Sequence, residues 1–161
     1  MAISLFEKKN FCVNSQWWEE KETVWYIDWI AKKVRIKVNP ERDIFEYVDG
    51  PYPGEQIFGH DAVVREISKA GKKLPANYAA IVAMIDIQPG NDWLEKYHNF
   101  LQNNAIVPSG FYSPDNHSLY NIHQHAYMRL DNGWYIEFYA DKCEYFVLDS
   151  LYGFSVRCLQ L

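Results

Sequence analysis

Two histidines one residue apart, His123 and His125, have the clearest chemical potential in this chain. On a strand that spacing aims both imidazoles to one side. With Asp141 from the segment that follows, and His117 just upstream, they make a candidate zinc or iron site, since imidazole and carboxylate ligands suit both metals. The same residues offer a second chemistry. His123 or His125 would be the base, Asp141 its orienter, and Cys143, Cys158, Ser150 or Ser155 the nucleophile of a small hydrolase. No strained nucleophile elbow, glycine-rich strand-to-helix turn or zinc-protease helix accompanies them. Cys143 lies just beyond a predicted strand and Cys158 within an apolar-alternating one, so both read as packing residues.

Other side-chain groupings point elsewhere. Glu137 and Asp141 share a strand face but stand roughly 13 Å apart at strand rise, too far to act together as paired carboxylates. Lys33, Arg35 and Lys37, with Lys32 adjacent, form a basic stripe beside a tryptophan-rich segment. Basic residues among aromatics suit single-stranded nucleic acid, yet three charges on one strand also describe a protected edge. Trp17 and Trp18 followed by Glu19, Glu20 and Glu22 place large aromatics beside carboxylates, as the anchors and rim of a protein interface do. Exposed Trp and Tyr would also serve a carbohydrate- or peptide-binding module, though without a specific signal for one.

The elements that would position the histidines are the most legible part of the chain. Ile122, Gln124, Ala126, Met128 and Leu130 alternate with His123, His125, Tyr127 and Arg129, the period of a strand. Asp131-Asn132-Gly133 is a turn signal, and Trp134 to Asp141 returns as a second strand. A two-residue loop would mix polar and apolar on both faces. A three-residue loop with Gly133 in the left-handed conformation sets Leu130 against Trp134, Met128 against Ile136 and Ala126 against Phe138. The opposite face then carries Arg129 with Tyr135, Tyr127 with Glu137, His125 with Tyr139 and His123 with Asp141. This second register is the expected one, because a slip of one residue ruins the apolar face. Its polar, tyrosine-rich face is expected to look outward.

Composition bounds the rest. The 161 residues, 48% of them apolar, suffice for one domain with a sizeable core. Aromatics make up 17%, and Tyr and Trp serve interfaces as well as cores. Three cysteines, Cys12, Cys143 and Cys158, without paired spacing fit a reducing compartment. Charge at Glu7, Lys8 and Lys9 comes too soon for a signal peptide, and no run is long enough to span a membrane. A cytoplasmic location is expected. Net charge is −5, and residues 74–161 alone carry four Lys/Arg against nine Asp/Glu. That imbalance disfavours nucleic acid as a partner and favours a basic one, or simply solubility; without an apolar span, no membrane partner is expected.

Along the chain, Ile3 to Phe6 reads as a short strand, residues 15–22 as a helix or turn, and 23–30 as a strand. Lys33 to Val38 pairs back through Asn39-Pro40 with Phe45 to Val48, placing Val38 beside Phe45, Ile36 beside Tyr47 and Lys37 beside Glu46. Asp61 caps a helix stopped by Gly71. The nearly continuous apolar run Tyr78 to Ile87 suits a central strand covered on both sides. A helix starting at Asn91 or Asp92 follows, with Trp93, Leu94, Tyr97, Phe100 and Leu101 as its inward stripe. Residues 103–117 read as a long polar loop, and Glu144 to Leu148 and Phe154 to Leu159 as the last strands. The expected architecture is a single α+β domain with a largely antiparallel sheet of six to seven strands and two or three helices.

In size, acidity and aromatic usage the chain resembles the immunity proteins that bacteria make against their own secreted toxins, including those of contact-dependent growth inhibition. The resemblance covers the whole chain but carries no motif and transfers no site residue. It implies a protein without catalytic activity or cofactor that blocks a basic, nuclease-type toxin. Carboxylates would steer the cationic partner in and desolvated aromatics would hold it. The surfaces of this chain that fit such a role are Trp17, Trp18, Glu19, Glu20 and Glu22, and the hairpin face of Tyr127, Tyr135, Glu137, Tyr139 and Asp141.

Overall fold

The computed structural model describes residues 6–7, 23–27, 33–39, 44–47, 56–58, 67, 69, 71–113, 118–147 and 152–160. They form an α+β arrangement in which every strand pairing is antiparallel. The strands are β1 (Thr23–Ile27), β2 (Lys33–Asn39), β3 (Ile44–Tyr47), β4 (Gln56–Phe58), β5 (Phe111–Ser113), β6 (Ser118–Tyr120), β7 (Ala126–Arg129), β8 (Tyr135–Phe138), β9 (Cys143–Phe146) and β10 (Phe154–Ser155). Among the described residues the helices α1 (Tyr78–Asp86) and α2 (Trp93–Asn103) lie between β4 and β5. Instead of one sheet of six or seven strands, the described residues form three, ordered β1-β2-β3-β4-β10, β5-β6 and β7-β8-β9.

Two expected registers are observed. β2 and β3 pair Ile36 with Tyr47, Lys37 with Glu46 and Val38 with Phe45. β7 and β8 pair Ala126 with Phe138, Tyr127 with Glu137, Met128 with Ile136 and Arg129 with Tyr135. The loop between β7 and β8 is the three-residue one. Leu130 N–H donates to the Trp134 carbonyl at 2.9 Å, Gly133 N–H to that of Leu130 at 3.2 Å, and Gly133 takes φ +86°. Glycine adopts that conformation without a Cβ penalty.

The segment Tyr78 to Ile87 is a helix, not a central strand. Asn77 caps it, its Oδ1 accepting from Ala80 N–H at 3.0 Å. Ile81 and Ile85, one turn apart, are fully buried, whereas Ala79 and Ala83 face solvent. Alanine reads as apolar in a hydropathy pattern but is the best helix former and does not require burial. The run therefore looks two-sided although only one face is covered. α2 starts as expected, with Asp92 accepting from Glu95 N–H at 2.8 Å and the Glu95 carboxylate reaching back to Asn91 N–H. Of its predicted stripe, Tyr97 and Phe100 are buried and Leu101 packs against the core, while Trp93 and Leu94 are exposed.

The β7-β8-β9 sheet is covered on both sides. One face, with Ala126, Met128, Ile136, Phe138 and Cys143, packs against Ile81 and Ile85 of α1 and Tyr97 and Phe100 of α2. The other receives Phe154 of β10, which stacks on Tyr135 at 4.2 Å and meets Tyr127 at 5.8 Å. The remaining expectations fall as follows. Phe6 forms a single bridge to Leu159, and Glu7 N–H donates to the Cys158 carbonyl at 2.9 Å. Ile67 and Lys69 are helical, and Gly71 at φ +65° precedes the closing bond from Lys72 N–H to the Ile67 carbonyl. The polar loop contains β5, paired with β6. Residues 15–22, and the start of the Asp61 helix, lie outside the described residues.

Candidate functional site

The polar side of the β7-β8 hairpin is mostly interior. Tyr127, Arg129 and Tyr135 are buried, contrary to the expectation that this face looks outward. The cause is Phe154. Its ring lies under the Arg129 guanidinium, 4.8 Å from Cζ, and against both tyrosines. Arg129 is 1% exposed, donates from Nη2 to the Tyr152 carbonyl at 2.8 Å, and has its pKa lowered to about 10 by burial. Burial also raises the Tyr127 phenol and pushes Tyr135 up to about 12. Alternating polar and aromatic residues thus mark a second core surface, because Tyr and Arg bury large apolar area while their polar ends find partners.

The covering stops short of the sheet's other margin, where the expected residues of this face come together in part. His125 and Tyr139 meet edge to face at 4.5 Å, as the register requires. Nδ1 of His125 lies 2.6 Å from Glu137 Oε2 without the alignment of a directed hydrogen bond. Glu137 is directly opposite Glu144 of β9. The Tyr139 hydroxyl points to Glu144 Oε2 at 3.4 Å, and Lys142 Nζ approaches Glu144 Oε1 at 3.1 Å. Burial first, and then the Glu137 and Glu144 carboxylates, push Tyr139 up to about 12. Like charges directly across a ladder destabilise it, and among the described residues the exposed Lys142 offsets them.

Among the described residues the expected metal and catalytic groups are not brought together; His117 and Ser150 lie outside those residues. The β7-β8 ladder ends at Ala126–Phe138, so the register no longer sets His123 against Asp141. Asn121 and His123 adopt left-handed φ values of +60° and +69°, turning the chain through residues 121–124 before β7 begins. Asn tolerates that conformation readily, which the alternation of Ile122 to Leu130 conceals. Asp141 sits exposed in the tight turn between β8 and β9. Among the described residues no three His, Cys, Asp or Glu side chains are placed to hold a metal ion. Cys143 packs on the opposite face of the sheet, and burial raises both its thiol and that of Cys158, the latter to about 12. Thiols so raised are poor nucleophiles. Ser155 is buried, its Oγ 3.1 Å from that of Ser109.

Trp17, Trp18, Glu19, Glu20 and Glu22 lie outside the described residues. A surface that sequence reasoning missed is β9. Tyr145, Phe146 and Val147 are 47%, 36% and 61% exposed. Tyr145 is propped from one side by Trp134 at 5.1 Å and Tyr78 at 4.9 Å, and Phe146 stacks on Tyr135 at 5.5 Å. The sequence marks 144–148 as a strand; its place at the sheet edge follows from the end of pairing with β8, which no local pattern encodes. The chain matches no protein-family model, no curated protein sequence and no solved structure. Among the described residues no helix is long and apolar enough to cross a membrane.

Proposed function

We propose that this chain is a non-enzymatic inhibitor that binds another protein, of the kind bacteria make as immunity proteins, and that its partner is a basic toxin domain met in the cytoplasm. The observation that carries the reading is the margin of the β7-β8-β9 sheet. There Tyr145 and Val147 stand exposed on one face of the edge, and Phe146 beside Glu144 on the other. Exposed apolar side chains next to charge at a sheet margin are what protein partners cover. The excess of carboxylates over residues 74–161 would speed encounter with a cationic partner.

Growth rescue tests this. The C-terminal domain of a large secreted protein encoded next to this chain is expressed with and without it. Killing relieved by the chain is the expected result. Unrelieved killing, or the lack of a toxic domain beside it, overturns the reading.

A further inference from the structure

We infer that the free edge of β9 takes up an extended, basic strand of the partner, so that the partner adds a fourth strand to the β7-β8-β9 sheet; this rests on the protein-binding reading above. The hydrogen-bond pattern fixes which groups are available. Tyr139 N–H donates to the Lys142 carbonyl at 2.8 Å, which makes these two a bonded pair at the hairpin end. Antiparallel pairs alternate between bonded and non-bonded. With Glu137 opposite Glu144 and Tyr135 opposite Phe146, residues 144 and 146 therefore bond to β8. The main-chain groups of Cys143, Tyr145 and Val147 point away from it. The Cys143 carbonyl accepts from the Tyr78 hydroxyl at 3.2 Å, which closes that end of the edge. Among the described residues none bonds to the main chain of Tyr145 or Val147. Two consecutive outward positions are thus open to a new strand.

Charge selects the occupant. Across the sheet one row runs Tyr127, Glu137, Glu144, and its next place would lie on the added strand. A cation there would meet the Glu144 carboxylate, with that of the buried Glu137 behind it. The neighbouring row runs Met128, Ile136, Tyr145, whose next place is apolar. The fitting segment therefore alternates lysine or arginine with aliphatic residues. A second copy of this chain fits less well. Antiparallel pairing of β9 with itself through Tyr145 and Val147 sets Phe146 against Phe146 and brings no cation to Glu144. Strand addition of this kind draws affinity from main-chain bonds and specificity from alternate side chains.

The test uses a capped synthetic peptide alternating lysine with valine, and its glutamate–valine counterpart. The Lys/Val peptide is expected to bind the whole chain and to slow amide exchange at Tyr145 and Val147. Val147→Pro removes an outward N–H and no bond to β8, so the fold should persist while binding is lost. Glu144→Arg should weaken the Lys/Val peptide by about three- to tenfold and favour the Glu/Val one. Undiminished binding by Val147→Pro, equal affinity for the two peptides, or no binding by the unaltered chain overturns the inference. So does a wild-type dimer in sedimentation that Val147→Pro abolishes, since a second copy would then own the edge. In the growth assay, rescue by both the unaltered chain and Val147→Pro sinks strand addition but leaves the inhibitor reading standing. Failure of the unaltered chain sinks the reading itself.

Discussion

Replacing Phe154 by alanine should destabilise the protein by about 4 kcal/mol. The ring is fully buried and sits among Tyr135 at 4.2 Å, Tyr127 at 5.8 Å, Phe111 at 5.9 Å and the Arg129 guanidinium at 4.8 Å. Buried Phe→Ala changes cost about 3–5 kcal/mol through lost transfer energy and the residual cavity. Three of the four neighbours are themselves large and held by other contacts, so the space cannot easily close, which favours the middle or upper part of that range. The cation–π contact contributes about 0.5–2 kcal/mol of it. A double-mutant cycle with Arg129→Met isolates that share, since methionine keeps much of the stem and loses the charge. Urea unfolding followed by tryptophan fluorescence measures both. Phe154→Ala is also expected to bring the Tyr135 phenol back towards its ordinary value by letting water in. A loss below about 1 kcal/mol, with no movement of Tyr135, would mean that the Tyr127–Arg129–Tyr135 surface is not covered by β10, and the account of this second core surface would fail.

Alkali should unfold the protein. Folded Tyr135 holds its proton to about pH 12 against an ordinary value of 10.0, so its contribution is complete below pH 10 and disappears as pH rises through 12. Tyr127 and Tyr97 shift the same way, while Arg129, lowered to about 10, pulls in the opposite sense over the same range. With more phenols than guanidinium affected, unfolding midpoints should fall above pH 10, together with the rise of tyrosinate absorbance; a flat midpoint there would contradict the burial of these rings. Gly110→Ala should destabilise by more than about 2 kcal/mol in the same urea assay, because its φ is +74° and a Cβ would lie 2.2 Å from the Tyr120 carbonyl oxygen. Asn77→Ala should cost about 1 kcal/mol and lower helix content by circular dichroism if α1 is capped as described.

Much of the local architecture was readable in the residues, and the reasons are local too. The β7-β8 register follows from an apolar alternation and a turn that tolerates one loop length. The β2-β3 register follows from Val38, Ile36 and the Lys37–Glu46 pair. α1 was misjudged because Ala79, Ala80 and Ala83 erase the contrast between the two sides of a helix. Tyr127, Tyr135 and His125 lie on the expected side of the hairpin, but the burial of that side does not follow from its pattern. That burial depends on Phe154, distant in sequence and brought over the face by pairing with β4. His123 and Asp141 were parted by a left-handed turn that an alternating pattern cannot announce. The exposed edge at β9 is likewise a property of topology: Glu144 to Leu148 reads as one more strand until its neighbours are known.

The contact between residues 6–7 and 157–159 bears on how the protein comes into being. Phe6 bridges Leu159, Glu7 bonds to Cys158, and the buried Arg157 donates to the Glu7 and Ala105 carbonyls while lying over the Phe6 ring. During translation the first of these partners emerges from the ribosome long before the second is made. The early segment must wait unsatisfied, and its docking can be completed only after residues 157–159 have cleared the exit tunnel.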